Sequence, residues 1–274
     1  MLPADYAISR ARRDLTLGAM VRFLLAGGAV ACLVLGPILS AGFVTGIVLS
    51  IIGVLWFTLS MRSAQGSQMV NMSQSLIANG QWEQAEKNIE QSLRSFSLFR
   101  ASKLLSLHHL ALLRHAQNQY AESAALCRAV LGQRLGSLRG LSRSSRLILA
   151  DALLEMGDVR GAYDAFIRLH DERLALGEAV QLLLIETDYA ARVGAWDYML
   201  SALGTKIQLA ELMPTDSAAA VQALLALAAK KAGKVELSNW LKRRAELLVE
   251  AEAMVRQRGM LKELFDDGEE NVKT

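Results

Sequence analysis

Hydrophobic and polar positions follow two different textures along this chain. Residues 23–61 carry no Asp, Glu, Lys, Arg or His. As one helix the run would be roughly 58 Å long at about 1.5 Å per residue, nearly twice the roughly 30 Å hydrocarbon core of a bilayer. Gly36-Pro37 stands near its middle, where proline lacks a backbone N–H and pushes the preceding residue out of helical conformation. The run therefore predicts a transmembrane helical hairpin over residues 16–61, with spans 16–35 and 38–61. Arg22 lies near one end of the first span, where a long side chain can carry its charge to the interface. Gly27 and Ala31 before the turn, and Gly42 and Gly46 after it, stand at matching depths and predict close packing of the two arms. A cleaved signal peptide fits less well, because cleavage near Ala41 would start the mature chain inside another apolar run.

After Arg62 the texture becomes amphipathic, with segments of about a dozen residues broken at regular intervals. The recurring signature is Gly or Asn, one polar or small residue, then an aromatic or Val. It occurs as Gly80-Gln81-Trp82, Asn118-Gln119-Tyr120, Gly157-Asp158-Val159, Gly194-Ala195-Trp196 and Gly233-Lys234-Val235. Successive third positions are 38, 39, 37 and 39 residues apart. Gly or Asn can adopt the left-handed conformation that ends one helix, and the third residue opens the apolar face of the next. Trp82, Ala85, Ile89 and Leu93 continue that face in the first unit, as Val159, Ala162, Phe166 and Leu169 do in the third. One helix pair cannot cover its own apolar face, so the pairs must stack.

With helix-ending Gly80, Trp82 two residues later and Ala85 three beyond, the unit resembles the tetratricopeptide repeat. Gly157 and Ala162 match too, whereas Ser123, Met199 and Ser238 occupy the alanine position. The resemblance covers about residues 64–250, at a period longer than the usual 34. It implies an all-α chain: a transmembrane hairpin followed by an α-α superhelix of about five helix pairs. The expected organisation is a basic cytoplasmic N-terminus (1–15), the hairpin (16–61), the repeat domain (62–265) and an acidic disordered tail (266–274). The longer period leaves a long connection over residues 132–145. Residues 238–265 are expected to continue as a helix, with Leu241, Ala245, Leu248 and Leu261 on its apolar side.

Composition supports helix, with only three prolines in 274 residues and few aromatics. Charge adds orientation. Arg10, Arg12, Arg13 and Arg22 precede the hairpin, Arg62 follows it, and its turn has no positive residue, so both termini are expected in the cytoplasm. Residues 91–150 hold nine basic residues against Glu122 alone, while residues 151–274 are net acidic. Within the basic stretch, Arg134, Arg139, Arg143 and Arg146 are a candidate patch for anionic lipid. Without interleaved aromatics, nucleic acid is not an expected partner.

Catalytic and metal signatures are missing from the sequence: there is no phosphate loop, dinucleotide fingerprint or zinc spacing. His108 and His115 on one helix would be about 10.5 Å apart, too far to share a metal. Asp151 and Glu155 share a helix face and read as solvated charges, and Cys127 falls on an apolar stripe with Ala124. Neither enzyme activity nor a cofactor is expected. In tetratricopeptide-like domains the first helix of each pair lines a concave face, and the resemblance places Gln74, His108, His115, Asp151, Glu155, Asp188 and Arg192 there. The reading is a membrane-anchored adaptor that binds a protein or peptide at the cytoplasmic face. The alternative is a structural subunit that assembles through the hairpin. Two N-terminal spans before such repeats are similar to the layout of some bacterial inner-membrane proteins, which implies that location.

Overall fold

A computed structural model describes residues 2–38, 42–136 and 138–266, apart from the side chains of residues 35–38. The chain is all-α: the described residues contain no strand. It forms two compact units, Met1–Ala152 and Leu153–Thr274.

In the first unit, α1 (Ala4–Ile38) and α2 (Gly42–Ala78) are long helices, each apolar enough over part of its length to cross a membrane. They are followed by α3 (Trp82–Arg94), α4 (Arg100–Ala116), α5 (Tyr120–Leu131) and α6 (Arg139–Glu155), whose last turn enters the second unit. Helix α1 carries through Gly36-Pro37 to Ile38, so the chain does not leave the helix there, and the link at 39–41 lies outside the described residues. The apolar arms leave their large side chains uncovered: Phe23 is 80% exposed and Phe43 83%. Between the arms, a Cβ at Gly28 would stand 3.6 Å from Ile52, whereas Gly27 and Gly46 meet nothing within 4 Å. The close approach thus falls one residue away from the expected small pair, because a shift of one position turns a helix face by about 100°.

Residues 4–15 are the first turns of α1, and one face of them packs into the unit's core with Leu2. Ala7 and Ala11 are buried, and the Leu2 amide donates to Glu86. Helix α2 likewise continues past Met61 without a break, so one helix is both the second apolar arm and the segment that leads into the turn at Gly80. The expected long connection over 132–145 is half absorbed by α6, which starts at Arg139.

The second unit contains α7 (Val159–Phe166), α8 (Leu176–Val193), α9 (Trp196–Leu200), α10 (Leu203–Ala210), α11 (Thr215–Lys231) and α12 (Val235–Glu246). Short helices α13 (Ala251–Gln257) and α14 (Lys262–Phe265) follow. Helix α11 is its centre, with residues Ala218 to Ala229 all buried. The expected continuous helix over 238–265 is broken after α12, which lets the chain fold back. Leu261 and Leu264 then enter the core beside α11, and Lys230 and Lys242 cap carbonyls of Glu263 and Leu264. Leu248, by contrast, stays 39% exposed.

The five predicted turns share one geometry. Gly80, Asn118, Gly157, Gly194 and Gly233 all have positive φ, between 59° and 78°. In each, the left-handed residue's amide reaches three residues back and the next amide five back, as in Gly80 to Ile77 and Gln81 to Leu76. This double bond satisfies carbonyls that a helix end leaves open. The following alanine-register position is buried in all five, whether it holds Ala85, Ser123, Ala162, Met199 or Ser238. Serine is tolerated there because its hydroxyl finds a carbonyl on the preceding helix, Ala111 for Ser123 at 2.9 Å and Ala226 for Ser238 at 2.8 Å.

Candidate functional site

Four of the expected groove residues lie in the first unit. Gln74 is exposed on α2. His108 is buried, with Nδ1 3.0 Å from Ser145 Oγ and Nε2 3.2 Å from Ser144 Oγ; burial pushes its pKa down to about 3 and keeps it neutral. It is a core histidine and does not line an open face. His109 beside it donates Nδ1–H to the Val70 carbonyl at 2.8 Å, a tautomer fixed because a carbonyl can only accept. His115 and Asp151 are brought together as a half-buried pair, Nε2 to Oδ2 3.0 Å.

In the second unit, Arg192 lies 3.1 Å from Asp188 Oδ1 and 3.6 Å from Glu155, and donates to the Leu154 carbonyl at 2.7 Å. Asp188 is almost fully buried and also faces Arg258 at 3.7 Å, a residue that no local pattern places there. These charges hold the last turn of α6, α8 and the C-terminal turns of the second unit together, so their side chains are already engaged.

Two basic residues of the first unit have the same character. Arg114 is fully buried and joins Glu86 at 2.7 Å, Glu122 at 3.0 Å, Gln117 at 2.7 Å and the Leu2 carbonyl at 2.6 Å. Burial alone would raise Glu86, but Arg114 and the Leu2 amide hold its carboxyl below the usual range. Lys103, also buried, pairs with Asp14 at 2.6 Å and caps the carbonyls that end α3. Of the candidate lipid patch, Arg134 and Arg139 are exposed, whereas Arg143 and Arg146 are half-buried. Among the described residues no group of His, Cys, Asp and Glu is arranged to hold a metal ion. Cys127 is buried, and its thiol is pushed up to about 12 by burial.

The concave feature with the most defined chemistry lies elsewhere in the second unit. Tyr163 and Phe166 on α7 meet Tyr189 on α8, with Tyr163 and Tyr189 stacked at 5.5 Å and Phe166 edge-on to Tyr189 at 5.3 Å. With Tyr198 and His170 they line a cavity of about 320 Å³, large enough for one or two partner side chains. Glu186 stands in its wall, 2.9 Å from His170 Nε2. Burial raises the Glu186 carboxyl against the opposing pull of His170 and Lys206. Lys206 lies 4.7 Å from the Tyr198 ring centre and donates to the Tyr198 and Met199 carbonyls. Burial lowers the Lys206 ammonium and raises the Tyr198 hydroxyl. The arrangement offers flat apolar walls and one acceptor, which suits an apolar or aromatic side chain carrying a hydrogen-bond donor.

Sequence reasoning missed this cavity because Phe166 counts as an ordinary member of an apolar stripe, and it is indeed only 3% exposed. The available signal was compositional: three of the five tyrosines, Tyr163, Tyr189 and Tyr198, fall within one short stretch. No family model matches the chain, and neither a curated protein nor a solved structure shows significant similarity to it.

Proposed function

We propose that the chain is a non-enzymatic, membrane-anchored adaptor whose tetratricopeptide-like helix pairs stack as a solenoid and hold a protein or peptide partner. The aromatic cavity of Tyr163, Phe166, Tyr189 and Tyr198 carries this reading, because it is a concave site whose rings remain open to a partner, whereas buried charges such as Arg114 and Asp188 are engaged in internal pairs. The partner inserts an apolar or aromatic side chain between the rings. The hairpin spans a bacterial inner membrane with both termini cytoplasmic, a reading supported by the uncovered apolar arms and the flanking arginines.

The test uses the whole chain in its native membrane, because residues 2–14 contribute to the first unit's core. A photo-crosslinking residue at Tyr198 is expected to capture a defined protein. Tyr189→Ala should weaken that capture by roughly tenfold, the scale of a lost aromatic anchor. Capture that is unchanged by Tyr189→Ala would remove the cavity from the proposal.

One observation favours the alternative of assembly through the spans. Gly27 and Gly46 are open on the outer faces of the hairpin, where small residues let another helix approach closely. Replacing residues 16–61 by an unrelated hairpin should leave partner capture intact under the adaptor reading and abolish it under the assembly reading.

A further inference from the structure

The connection between α3 and α4 is locked against the base of both apolar arms. The Leu98 amide donates to Ser63 Oγ on α2 at 2.8 Å, and a Cβ at Gly18 on α1 would stand 3.1 Å from the Ser97 carbonyl. A Cβ at Gly66 on α2 would stand 3.2 Å from Ser95 Oγ. From the other side, Lys103 and Arg10 both donate to the carbonyl of Leu93, at 2.7 Å and 3.1 Å. This loop is therefore a rigid shelf set at the level of Gly18 and Ser63.

That level is where the chain changes character. Beyond Gly18 and Ser63 come Arg22 and Arg62, and between those two residues nothing is charged. Counted from Ala19 to Ile38, the first arm rises about 30 Å at 1.5 Å per residue, the thickness of a hydrocarbon core. Arg22 Nε turns back to the Gly18 carbonyl at 3.2 Å, toward the shelf and away from the apolar stretch. The shelf itself presents Phe99, 43% exposed, between Arg94 and Arg100. Arg94 has a 65% exposed side chain with Glu90 as its partner. Arg100 is half-buried and reaches Gln133 at 3.1 Å through one end of its guanidinium.

We infer that residues 95–100 form an interfacial shelf that rests on an anionic phospholipid leaflet, with Phe99 entering the headgroup region and Arg22, Arg62, Arg94 and Arg100 meeting lipid phosphates. The inference rests on the transmembrane reading of the hairpin. Charge complementarity and continuity with the bilayer boundary select lipid as the occupant. An exposed aromatic flanked by arginines is suited to that boundary, where an apolar body and a cationic head are both satisfied.

The test reconstitutes the whole chain, with Cys32→Ala and Cys127→Ala, in vesicles of brominated phosphatidylcholine and phosphatidylglycerol. A bimane fluorophore is attached in turn to Val30→Cys, Phe99→Cys and Gln81→Cys, the last at the opposite end of α3. Quenching at positions 30 and 99 but not 81 is expected. Quenching at 30 without quenching at 99 overturns the shelf and leaves the hairpin standing. No quenching at either overturns the membrane reading as well, and equal quenching at 81 also counts against a shelf. Omitting phosphatidylglycerol, or introducing Arg94→Gln with Arg100→Gln, should lower quenching at 99 roughly twofold. Quenching at 99 that ignores both changes would overturn the anionic part.

Discussion

The middle of helix α11, Ala218 to Ala229, and the hairpin arms are both strongly apolar in sequence and opposite in fate. Every residue from Ala218 to Ala229 is buried by the second unit's own helices. The arms leave Phe23, Phe43 and Phe57 in the open. Small side chains explain part of the difference: the buried stretch of α11 is mostly alanine, so neighbouring helices can approach on several sides, whereas the bulkier Phe and Ile of the arms hold neighbours away. The lesson is that apolarity says a helix must be covered, and only the surrounding chain says by what. Protein covers α11. Among the described residues, the arms have no protein cover beyond each other over most of their length.

The sharpest way to break this comparison is to place the same charge on both surfaces. Leu224→Asp puts an unpaired carboxylate into a fully buried position and should destabilise the second unit by more than about 4 kcal/mol, seen as lost cooperative melting in detergent. Ile51→Asp, at a 61% exposed position, should leave that melting unchanged and weaken membrane insertion by about 3 kcal/mol, seen in membrane flotation. Equal effects on melting would mean that the arms are covered by protein after all.

Arg114 extends the contrast to a charge that the chain covers and satisfies. Arg114→Met should cost about 3 kcal/mol in the first unit, because Glu86 and the Leu2 carbonyl lose their partner, as read by denaturant unfolding. His108 offers a graded version. Its pKa falls from 6.5 to about 3 in the folded chain, so folding excludes a proton that the unfolded chain binds. Its stabilising contribution is present above about pH 6.5 and lost as pH falls toward 3, by up to about 1.4 kcal/mol per pH unit. His108→Asn should flatten that acid limb. Ser238→Ala is the mildest probe. It removes one buried hydrogen bond to Ala226 and should cost about 1 kcal/mol, against almost nothing at exposed Ser201.

Legibility followed the same division. The five turns were legible because a left-handed residue and the start of the next apolar face are local requirements, met at Gly80 and Asn118 alike. The start of α6 at Arg139 was hidden by the Gly- and Ser-rich sequence around it, and the break after α12 by an apolar spacing that continues past it. The expected groove was legible only as a register. His108 turned inward to Ser144 and Ser145, and Asp188 turned inward to Arg192. The cavity that replaces it as the candidate site depends on Tyr163 meeting Tyr189 across two helices, which no local pattern specifies.

By itself, then, the amino-acid order determined that the chain is helical, where its helix pairs turn, and that two helices are long and apolar enough to cross a membrane. These properties follow from backbone conformation, period and composition, which act over one or two turns of chain. Tertiary structure alone decided that Lys103 and Arg114 are buried partners rather than surface charges, that Leu2, Ala4, Ala7 and Ala11 belong to the first unit's core, and that an aromatic cavity opens beside Glu186. The physical reason is that burial and pairing are set by residues far apart in sequence, such as Leu2 and Arg114, and become defined only when the fold brings them together.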